Sequence, residues 1–570
     1  MSNSFLDTKR LEKLVSTRST KSSPSKTVRD KAATVNAPVT ARGEFSETTW
    51  WIGVVAILCL GAVLRLYNLN LVPLHHDEGV NGNFLVRLVR ENIYHYDPAN
   101  YHGPTLYYFA AIIPWVTKLL FGAAARDEYG LTTFNIRLIP ALFGLGTIAL
   151  IFCLRRRLGT VATLSAALFV AVSPGAVYLS RYFIHETQFV FFTLGIVVAG
   201  LRFYDERRPH HLILAFVSAA LLFATKETAM ISAAVLFLAL VLTNIYKRLV
   251  KRSRVSTKQR KKTQTEAGLG LTELVEEIGG TSTLLLWILL GSVLFVAINI
   301  VFYSSFFSNY PQGIYDSLKT FDFWTKTGKA QHVHPPVTYI HWLVFQEAPL
   351  LFLGAIGAVF AVLKPKNSFA LFSAMWAFGL IAAYSLVPYK TPWLQLNFII
   401  PLAIIAGYAV QTFYQLDLNQ LRFAVTVVVI AIGISFYQTI DLNFFNYDND
   451  SEYYVYVYAH TKRDTVQLVN EIDKLAQQNQ KNLTGITIVS PDYWPLPWYL
   501  RNYSRVGYFA QMTTSNEPII IASETQKAEM DQRYGELYQL VPSGKGDGGF
   551  ALRPGVNLLL YERKTSLVNQ

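Results

Sequence analysis

Long apolar runs separated by short polar segments dominate the chain between residues 50 and 438. A helix of roughly 20 apolar residues crosses the hydrocarbon core of a bilayer. Eleven runs approach or reach that length: 50–67, 134–154, 160–178, 187–204, 211–226, 228–246, 283–303, 343–363, 368–387, 393–413 and 421–438. The pattern therefore predicts a polytopic α-helical membrane protein with about eleven spans.

A twelfth apolar run, 105–121, decides the topology, because counting it as a span would move every later segment to the opposite face. Basic residues concentrate on the cytoplasmic side of membrane proteins. If 105–121 does not cross, all basic clusters share that side: the N-terminal tail, Arg155–Arg157, Arg207 and Arg208, Lys247–Lys262, and Lys364 with Lys366. We therefore predict a surface helix at 105–121, where Pro114, Trp115 and Lys118 suit an interfacial position.

The two ends of the chain lack such runs. Residues 1–48 are rich in Ser, Thr, Lys and Arg, which predicts a disordered basic cytoplasmic tail. The predicted transmembrane domain covers 49–440, with a first outer loop at 68–133. Residues 441–570 predict a small extracytoplasmic α/β domain, with these elements: a helix near 464–478, strands at 485–489, 518–522 and 556–561, and a turn at 544–549. We expect the protein in the plasma membrane.

Composition agrees with a membrane protein, since 52% of the residues are hydrophobic and only 16% are charged. The net charge is +13, and the basic residues that produce it cluster beside apolar runs. Membrane topology therefore explains them better than a nucleic-acid partner does. Cys59 and Cys153 sit inside apolar runs and offer no disulfide framework. The sequence has no Walker A loop and no dinucleotide-binding glycine fingerprint, so any transferred group would come from an activated donor in the membrane, such as a phosphate-linked lipid.

An acidic pair, Asp77-Glu78, follows the first predicted span within a few residues. Carboxylates next to a membrane are costly to desolvate and are candidates for function. One could act as general base toward an acceptor hydroxyl while the other positions a sugar. The alternatives are a solvated acidic loop and a divalent metal site that uses His76 and Glu78, although the spacing matches no specific ligand pattern.

Further charged groups lie in other predicted outer segments. Arg181 and Lys226 are candidates to neutralise a phosphate, and Lys390, between two prolines, is a third. Each has a plainer alternative, such as mutual pairing of Lys226 with Glu227, or anchoring at the membrane interface. The candidate set for substrate or phosphate binding is His102, Arg181, His185, Glu186, Lys226, Glu227, His334 and Lys390.

Several of these motifs, taken in order, resemble the GT-C superfamily of membrane glycosyltransferases, particularly the protein O-mannosyltransferase and aminoarabinose-transferase group. The likeness rests on Asp77-Glu78, on 135–144 entering the second span and on 154–159 leaving it. Within that group the chain looks like a prokaryotic branch called flippase activity-associated, through these segments: 76–79, 101–104, 180–186, 224–228 and 489–495.

This resemblance implies an active site on the outer face and a polyprenyl- or dolichyl-phosphate sugar as donor. The acceptor would be a protein, lipid or glycan, and transfer of the hexosyl or pentosyl group would invert the anomeric centre. Carried onto this sequence, Asp77 would be the general base and Glu78 a supporting carboxylate. The branch name also records a link to lipid translocation.

Two other hypotheses follow. A lipid-linked sugar flippase, or a flippase accessory protein, would line a path through the bundle with charged groups. A scaffold would recruit partners through the outer domain and leave the acidic pair dispensable. In that domain Tyr493, Trp494 and Trp498 could position an acceptor, or they could pack the domain against the membrane.

Overall fold

The computed structural model describes residues 45–99, 102–254, 274–327, 332–544 and 548–564. Most of the predicted N-terminal tail and the last part of the Lys247–Lys262 run lie outside these described residues. Glu47, near the end of the predicted tail, already lies in the first helix.

The part of the chain before residue 441 is almost entirely helical. Its main helices are α1 Glu47–Leu66, α2 His76–Glu91, α3 Thr105–Phe121, α4 Thr133–Phe152, α5 Thr160–Val172, α6 Pro174–Ser180, α7 Glu186–Glu206, α8 Pro209–Phe223, α9 Ala229–Arg254, α10 Thr281–Tyr303, α11 Gln312–Thr327, α12 Thr338–Gln346, α13 Ala348–Leu363, α14 Ser368–Leu386, α15 Leu396–Tyr414 and α16 Leu418–Ile440.

Every predicted span coincides with a helix or a bent pair of helices. Among the described residues, eight helices are long and apolar enough to cross a membrane, or ten if the pairs α5–α6 and α12–α13 each form one span. The predicted span 211–226 corresponds to α8, which is apolar but has only 15 residues. The predicted surface helix corresponds to α3, with 17 residues. The polytopic helical fold predicted from the sequence is thus confirmed.

The two bent pairs break at residues with recognisable local chemistry. Pro174 starts α6 and cannot donate a backbone hydrogen bond, so α5 ends at Val172 and the axis turns by 60°. Pro349 lies in the first turn of α13, after a bend of 113°. Glu347 links the two breaks, because its Oε1 accepts hydrogen bonds from Ser173 Oγ at 2.7 Å and from Gly175 N at 2.9 Å.

The bundle has two chemically different ends. At one, which we call the basic end, Arg155 pairs with Glu47 at 2.8 Å and Arg207 pairs with Glu277 at 3.0 Å. All the basic clusters that the topology argument placed together, as far as they are described, lie at this end. The opposite end, which we call the site end, carries these connecting segments: 67–75, 92–99, 102–104, 122–132, 181–185, 224–228, 304–311, 332–337 and 387–391.

The C-terminal region contains one six-stranded mixed sheet. Its strands are β1 Ile486–Ile488, β2 Val506–Tyr508, β3 Ile519–Ser523, β4 Tyr538–Leu540, β5 Gly549–Arg553 and β6 Val556–Arg563. The order is β2-β1-β3-β6-β4, and β5 also pairs with β6. β1 is parallel to β2 and β3, whereas β6 runs antiparallel, with Ile521 opposite Leu560.

Helix α17, Asp464–Gln478, covers this sheet as the helical periodicity predicts. Leu468 and Ile472 pack against Ile488 and Leu558 in a common apolar cluster. A second helix, α18, spans Lys527–Tyr534. β1, β3 and β6 match the predicted strands, but β2, β4 and β5 were not predicted, because two of them have only three residues and none is a continuous apolar run.

Candidate functional site

Helix α2 begins at the site end and carries the acidic pair in its first turn. His75 is its N-cap residue: His75 Nδ1 accepts a hydrogen bond from Asp77 N at 3.0 Å. The other ring nitrogen, Nε2, donates to Tyr458 O at 3.1 Å. Burial lowers the pKa of His75 to about 4. His75 is therefore a neutral imidazole that fixes where α2 starts.

Glu78 forms a fully buried ion pair with Arg137 of α4. The two contacts are 2.7 Å from Arg137 Nε to Glu78 Oε1 and 2.6 Å from Arg137 NH2 to Oε2. The same carboxylate accepts from Phe183 N at 2.8 Å and from His75 N at 3.0 Å. With both oxygens occupied, Glu78 ties three segments together, and this role as an anchor differs from the predicted role of a catalytic carboxylate.

Asp77, the next residue, occupies a different environment. Its side chain is 41% exposed, and His75 Nδ1, a neutral nitrogen, lies 3.8 Å from Oδ2. Burial raises the pKa of Asp77 above its usual range, and the Glu186 carboxylate adds to the rise. Three imidazoles oppose it: His76, His102 and His332. A carboxylate with a raised pKa and free oxygens is a stronger base than an ordinary aspartate.

The segment that carries His102 is held beside the turn after α8 by backbone pairing. Gly103 N donates to Thr225 O at 3.0 Å and Thr105 N donates to Ala224 O at 3.3 Å. A Cβ at Gly103 would lie 2.1 Å from Ala224 O, so no larger residue fits without moving the backbone. This pairing places His102 Nδ1 2.9 Å from Glu227 Oε2.

The 180–186 turn supplies two more of the predicted residues. His185 is buried and its Nε2 contacts Gly103 O at 2.9 Å, so it supports the His102 segment. Glu186 forms a buried ion pair with Lys226, with Nζ 2.5 Å from Oε1. The alternative that Lys226 pairs with Glu227 is wrong, because each of the two pairs with a residue from another segment.

Two later segments join by a short antiparallel bridge between Val333 and Tyr389. His334 N donates to Pro388 O at 3.1 Å, and Lys390 N donates to His332 O at 3.0 Å. Lys390 is buried, and its Nζ donates to Val387 O at 2.5 Å. The bridge therefore fixes the backbone on which Lys390 and both histidines are carried.

His332, rather than the predicted His334, is among the main groups that lower the pKa of Asp77. His332 Nδ1 lies 2.9 Å from the Tyr458 hydroxyl, while the His334 ring lies 5.5 Å from Trp342. The sequence signal was the alternation of His332 and His334 in one short motif. Sequence reasoning could not decide which of the two histidines acts on Asp77.

Arg181 contacts the C-terminal end of α1. Its guanidinium donates to these backbone carbonyls: Leu64, Arg65, Tyr67 and Asn68. It also lies 4.8 Å above the Phe444 ring. The final carbonyls of a helix need donors. Arg181 therefore caps α1, and its phosphate-binding role stays a prediction.

The C-terminal region docks directly on α2. Gly79 and Gly82 make room for it, because a Cβ on them would lie 2.5 Å from Pro495 Cβ and from Trp498 Cε3, respectively. Arg553 NH1 donates to His76 Nδ1 at 3.1 Å, and its other nitrogen pairs with Asp492. Sequence reasoning missed Arg553 and Asp492, since they are distant from α2 along the chain.

The suggested metal pair does not fit a metal ion. Glu78 uses both oxygens for Arg137 and backbone donors, and the His76 Nδ1 lone pair accepts from Arg553. Across the described ranges there is no group of three or more His, Cys, Asp or Glu side chains arranged to hold a metal.

Comparisons with known proteins agree with the predicted fold. Residues 110–257 match the family model described as dolichyl-phosphate-mannose-protein mannosyltransferase. No curated protein matches the chain. Among solved structures, ArnT from Cupriavidus metallidurans bound to undecaprenyl phosphate is similar, with a TM-score of 0.57 at 14% identity, covering 90% of this chain and 98% of that chain.

Two archaeal structures show the same likeness. The Archaeoglobus fulgidus oligosaccharyltransferase tethered with an acceptor peptide has a TM-score of 0.51 at 14% identity, covering 89% of this chain and 74% of that chain. Archaeal AglB from the same organism, in complex with an inhibitory peptide and a dolichol-phosphate, has a TM-score of 0.51 at 13% identity, covering 92% of this chain and 75% of that chain. The chain has the GT-C fold of membrane glycosyltransferases.

Proposed function

We propose that this protein is an inverting glycosyltransferase that takes a sugar from a polyprenyl-phosphate-linked donor and uses Asp77 as general base. The observation that carries the proposal is the Asp77 carboxylate at the site end, which is partly exposed, accepts no hydrogen bond from the described residues and stands among ionisable groups from three other segments. Basic residues concentrate on the cytoplasmic side of membrane proteins, so the basic end lies in the cytoplasm and the site end faces the outside.

Asp77 performs the proton transfer. Its carboxylate accepts the proton of an acceptor hydroxyl as that oxygen forms a bond to C1 of the donor sugar. The C1–O bond to the lipid phosphate breaks on the opposite side, and the phosphate leaves with the electron pair. One displacement inverts the anomeric centre, and the proton then passes from Asp77 to water.

We assign Lys226 and Lys390 as the two cations that stabilise the departing phosphate. Lys226 is buried against Glu186, so an incoming phosphate has to compete with that carboxylate for Nζ. Lys390 uses one donor for Val387 O, which leaves two of the three ammonium hydrogens for a ligand. A desolvated cation interacts more strongly with phosphate than one in water does.

The depth of Lys226 suits a lipid phosphate. Helix α8, which precedes it, has 15 residues and rises about 22 Å at 1.5 Å per residue, less than the roughly 30 Å of a hydrocarbon core. The turn 224–228 therefore lies below the outer membrane surface if α8 starts at the cytoplasmic boundary. The undecaprenyl phosphate of the ArnT structure and the dolichol-phosphate of the AglB structure support a donor of the same chemistry here.

The distribution of buried charge favours transfer over translocation. The flippase hypothesis predicts charged groups along a path through the bundle. Among the described residues of the helical bundle, the fully buried acidic and basic side chains lie within about two helical turns of the site end: Arg65, Glu78, Arg137, Arg181, Glu186, Lys226, Glu347 and Lys390. The middle of the bundle thus offers no charged route in its described part.

The test is the Asp77→Asn variant in membranes supplied with a radiolabelled polyprenyl-phosphate sugar. We expect transfer of the label from the lipid fraction to fall by at least about 10²-fold, a typical contribution of a general base. Glu91→Gln is the matched control, because Glu91 lies on the same helix, is 53% exposed and meets Arg87 only at 3.9 Å. Undiminished transfer by Asp77→Asn would sink the assignment.

A vesicle assay separates the two functions. In proteoliposomes without acceptor, a flippase would move the labelled lipid across the bilayer and Asp77→Asn would leave that movement intact. We expect no translocation above that of protein-free vesicles. Acceptor-independent movement of the donor would favour the flippase hypothesis instead.

A further inference from the structure

Three aromatic rings of the C-terminal region form a partly exposed group beside the N-terminus of α2. The Tyr493 ring lies 5.7 Å from the Trp494 ring and 5.1 Å from the Tyr508 ring. The Trp494 ring is also 6.1 Å from the ring of His76, the residue before Asp77. We call Tyr493, Trp494 and Tyr508 the aromatic platform.

The platform differs from the tryptophan that docks the region on α2. Trp498 is 1% exposed, its Nε1 donates to Thr133 Oγ1 at 3.1 Å and its ring fills the space above Gly82. Trp494 keeps part of its surface open and contacts α2 at the His76 ring and at Gly79, where its Cε3 lies 3.4 Å from where a Cβ would be. Packing therefore explains Trp498, whereas Tyr493 and Tyr508 are only partly buried against the apolar core of the C-terminal region and Trp494 keeps part of its surface open.

Polar groups border the platform. In the described structure, the Trp494 indole N–H and the hydroxyls of Tyr493 and Tyr508 make no hydrogen bond, and none of them is buried. Asp492 is 46% exposed and pairs with Arg553, which itself contacts His76. The surface thus offers flat apolar faces together with unused donors and acceptors at their edges.

We propose that the aromatic platform, together with Asp492 and Arg553, binds a pyranose ring of a carbohydrate acceptor. This inference rests on the proposed transferase function and names the class of its acceptor. One face of a pyranose carries C–H groups that pack on an aromatic ring, while its hydroxyls project outward and need hydrogen bonds. A carboxylate and a guanidinium side by side suit adjacent hydroxyl groups.

Other acceptor classes suit this surface less well. A lipid tail gains from continuous apolar contact and would leave the polar tips of the rings unpaired. An extended peptide is usually captured along a free strand edge. β2 is such an edge, but it has only three residues, and the polar pair Asp492–Arg553 belongs to different segments.

The position of the platform connects acceptor binding with the reaction. His76 contacts both Trp494 and Arg553, and Asp77 follows it on α2, where the helical rise is about 1.5 Å per residue. A sugar bound on the platform therefore lies beside the first turn of α2, the turn that carries the general base.

Binding of the full-length protein in detergent to an array of neutral oligosaccharides and an array of unmodified peptides tests this assignment. We expect binding to a subset of the oligosaccharides that Trp494→Ala weakens at least about tenfold and Trp494→Phe largely keeps. Asp492→Asn should weaken the same signals. Leu483→Ala is the control, since Leu483 is exposed (60%) in the same region and distant from α2 in sequence.

Three results would overturn the carbohydrate assignment: wild-type protein that binds peptides only, wild-type protein that binds no oligosaccharide, and Trp494→Ala that binds as the wild type does. A melting temperature for each variant shows whether it is folded, and Trp494→Phe and Asp492→Asn carry the test if Trp494→Ala unfolds. Release of labelled sugar from the lipid donor to water, which should depend on Asp77 and not on Trp494, reports separately on the proposed function.

Discussion

The two carboxylates of the acidic pair, Asp77 and Glu78, share one turn of helix α2 but lie in opposite environments. Glu78 is fully buried and saturated by Arg137 and two backbone donors. Asp77 is partly exposed and engaged by none of the described hydrogen-bond donors. Successive residues on a helix point about 100° apart, so one can face the protein interior while the next faces a recess.

In this short motif, Glu78 stabilises the fold and Asp77 is left available to a substrate. The Glu78–Arg137 pair fixes the start of α2 and the segments beside it. Asp77 is therefore held in position although its own oxygens accept no hydrogen bond from the described residues. Removing one partner of a buried ion pair strongly lowers the free energy of unfolding, whereas removing a carboxylate that has no partner does not. Loss of Glu78 should therefore destabilise the protein, and loss of Asp77 should abolish transfer.

The largest effect is expected for Glu78→Gln. It leaves Arg137 charged and buried without its counter-ion, which typically costs about 3–5 kcal/mol. We expect a large fall in melting temperature in detergent or no folded protein at all. Glu91→Gln on the same helix should stay within about 0.5 kcal/mol of the wild type. A Glu78→Gln protein as stable as the wild type would contradict the anchoring role.

Gly103→Ala comes next and tests the wall of the recess. The added Cβ would lie 2.1 Å from Ala224 O, so the backbone pairing that positions His102 has to open. We expect transfer to fall by about 10²-fold, because small misplacements at a reaction centre have effects of that size. Gly200→Ala is the matched control, since its Cβ would meet nothing within 4 Å, and it should retain full activity.

Lys226 separates ion pairing from phosphate binding. Lys226→Met alone leaves Glu186 buried and unpaired and should destabilise the protein strongly. The double variant Lys226→Met/Glu186→Gln removes both charges and should recover most of the melting temperature. We expect its KM for the lipid donor to remain at least about tenfold higher. A double variant with a normal donor KM would show that Lys226 serves the fold only.

The smallest effect concerns the pH dependence of Asp77. Because burial raises its pKa, the folded protein binds this proton more tightly than the unfolded chain, and the ionised carboxylate lowers stability once the pH exceeds the usual aspartate range. At neutral pH, Asp77→Asn should raise the free energy of unfolding by less than about 1 kcal/mol, because the side chain is partly exposed. The melting temperature should rise slightly. The gain should disappear in acid.

Activity should show the complementary trend. The base has to be ionised, so kcat/KM of the wild type should fall as the pH drops through the raised pKa of Asp77, at a higher pH than an ordinary aspartate would give. A stability of Asp77→Asn that is lower than the wild type at neutral pH would indicate that Asp77, like Glu78, anchors the fold.

Local signals were sufficient for the helical framework and for part of the site. Apolar length predicted each span, and the positive-inside rule grouped Arg155, Arg207 and their neighbours, which the structure places at one end with Glu47 and Glu277. Polar motifs between spans marked the segments of the site. They did not show the pairing partners, because Lys226 meets Glu186 from 40 positions away.

Two of the predicted site residues are bound by other groups of the protein itself. Arg181 and Glu78 carry charges that the sequence marks as costly, and the structure satisfies both with partners from other helices: the carbonyls at the end of α1 and the guanidinium of Arg137. A charge near a membrane has to be compensated, but the compensating group can be a substrate or the protein itself. Sequence alone does not separate these two cases.

By itself, the sequence determined the solvent, the position of the apolar spans and the end of the bundle at which basic residues collect, because these follow from hydrophobic length and charge within each segment. Tertiary structure decided which carboxylate is free, which histidine acts on its pKa and where the C-terminal region docks. Those features depend on contacts between residues far apart in the chain, such as His76 with Arg553, and only packing of the folded chain brings such residues together.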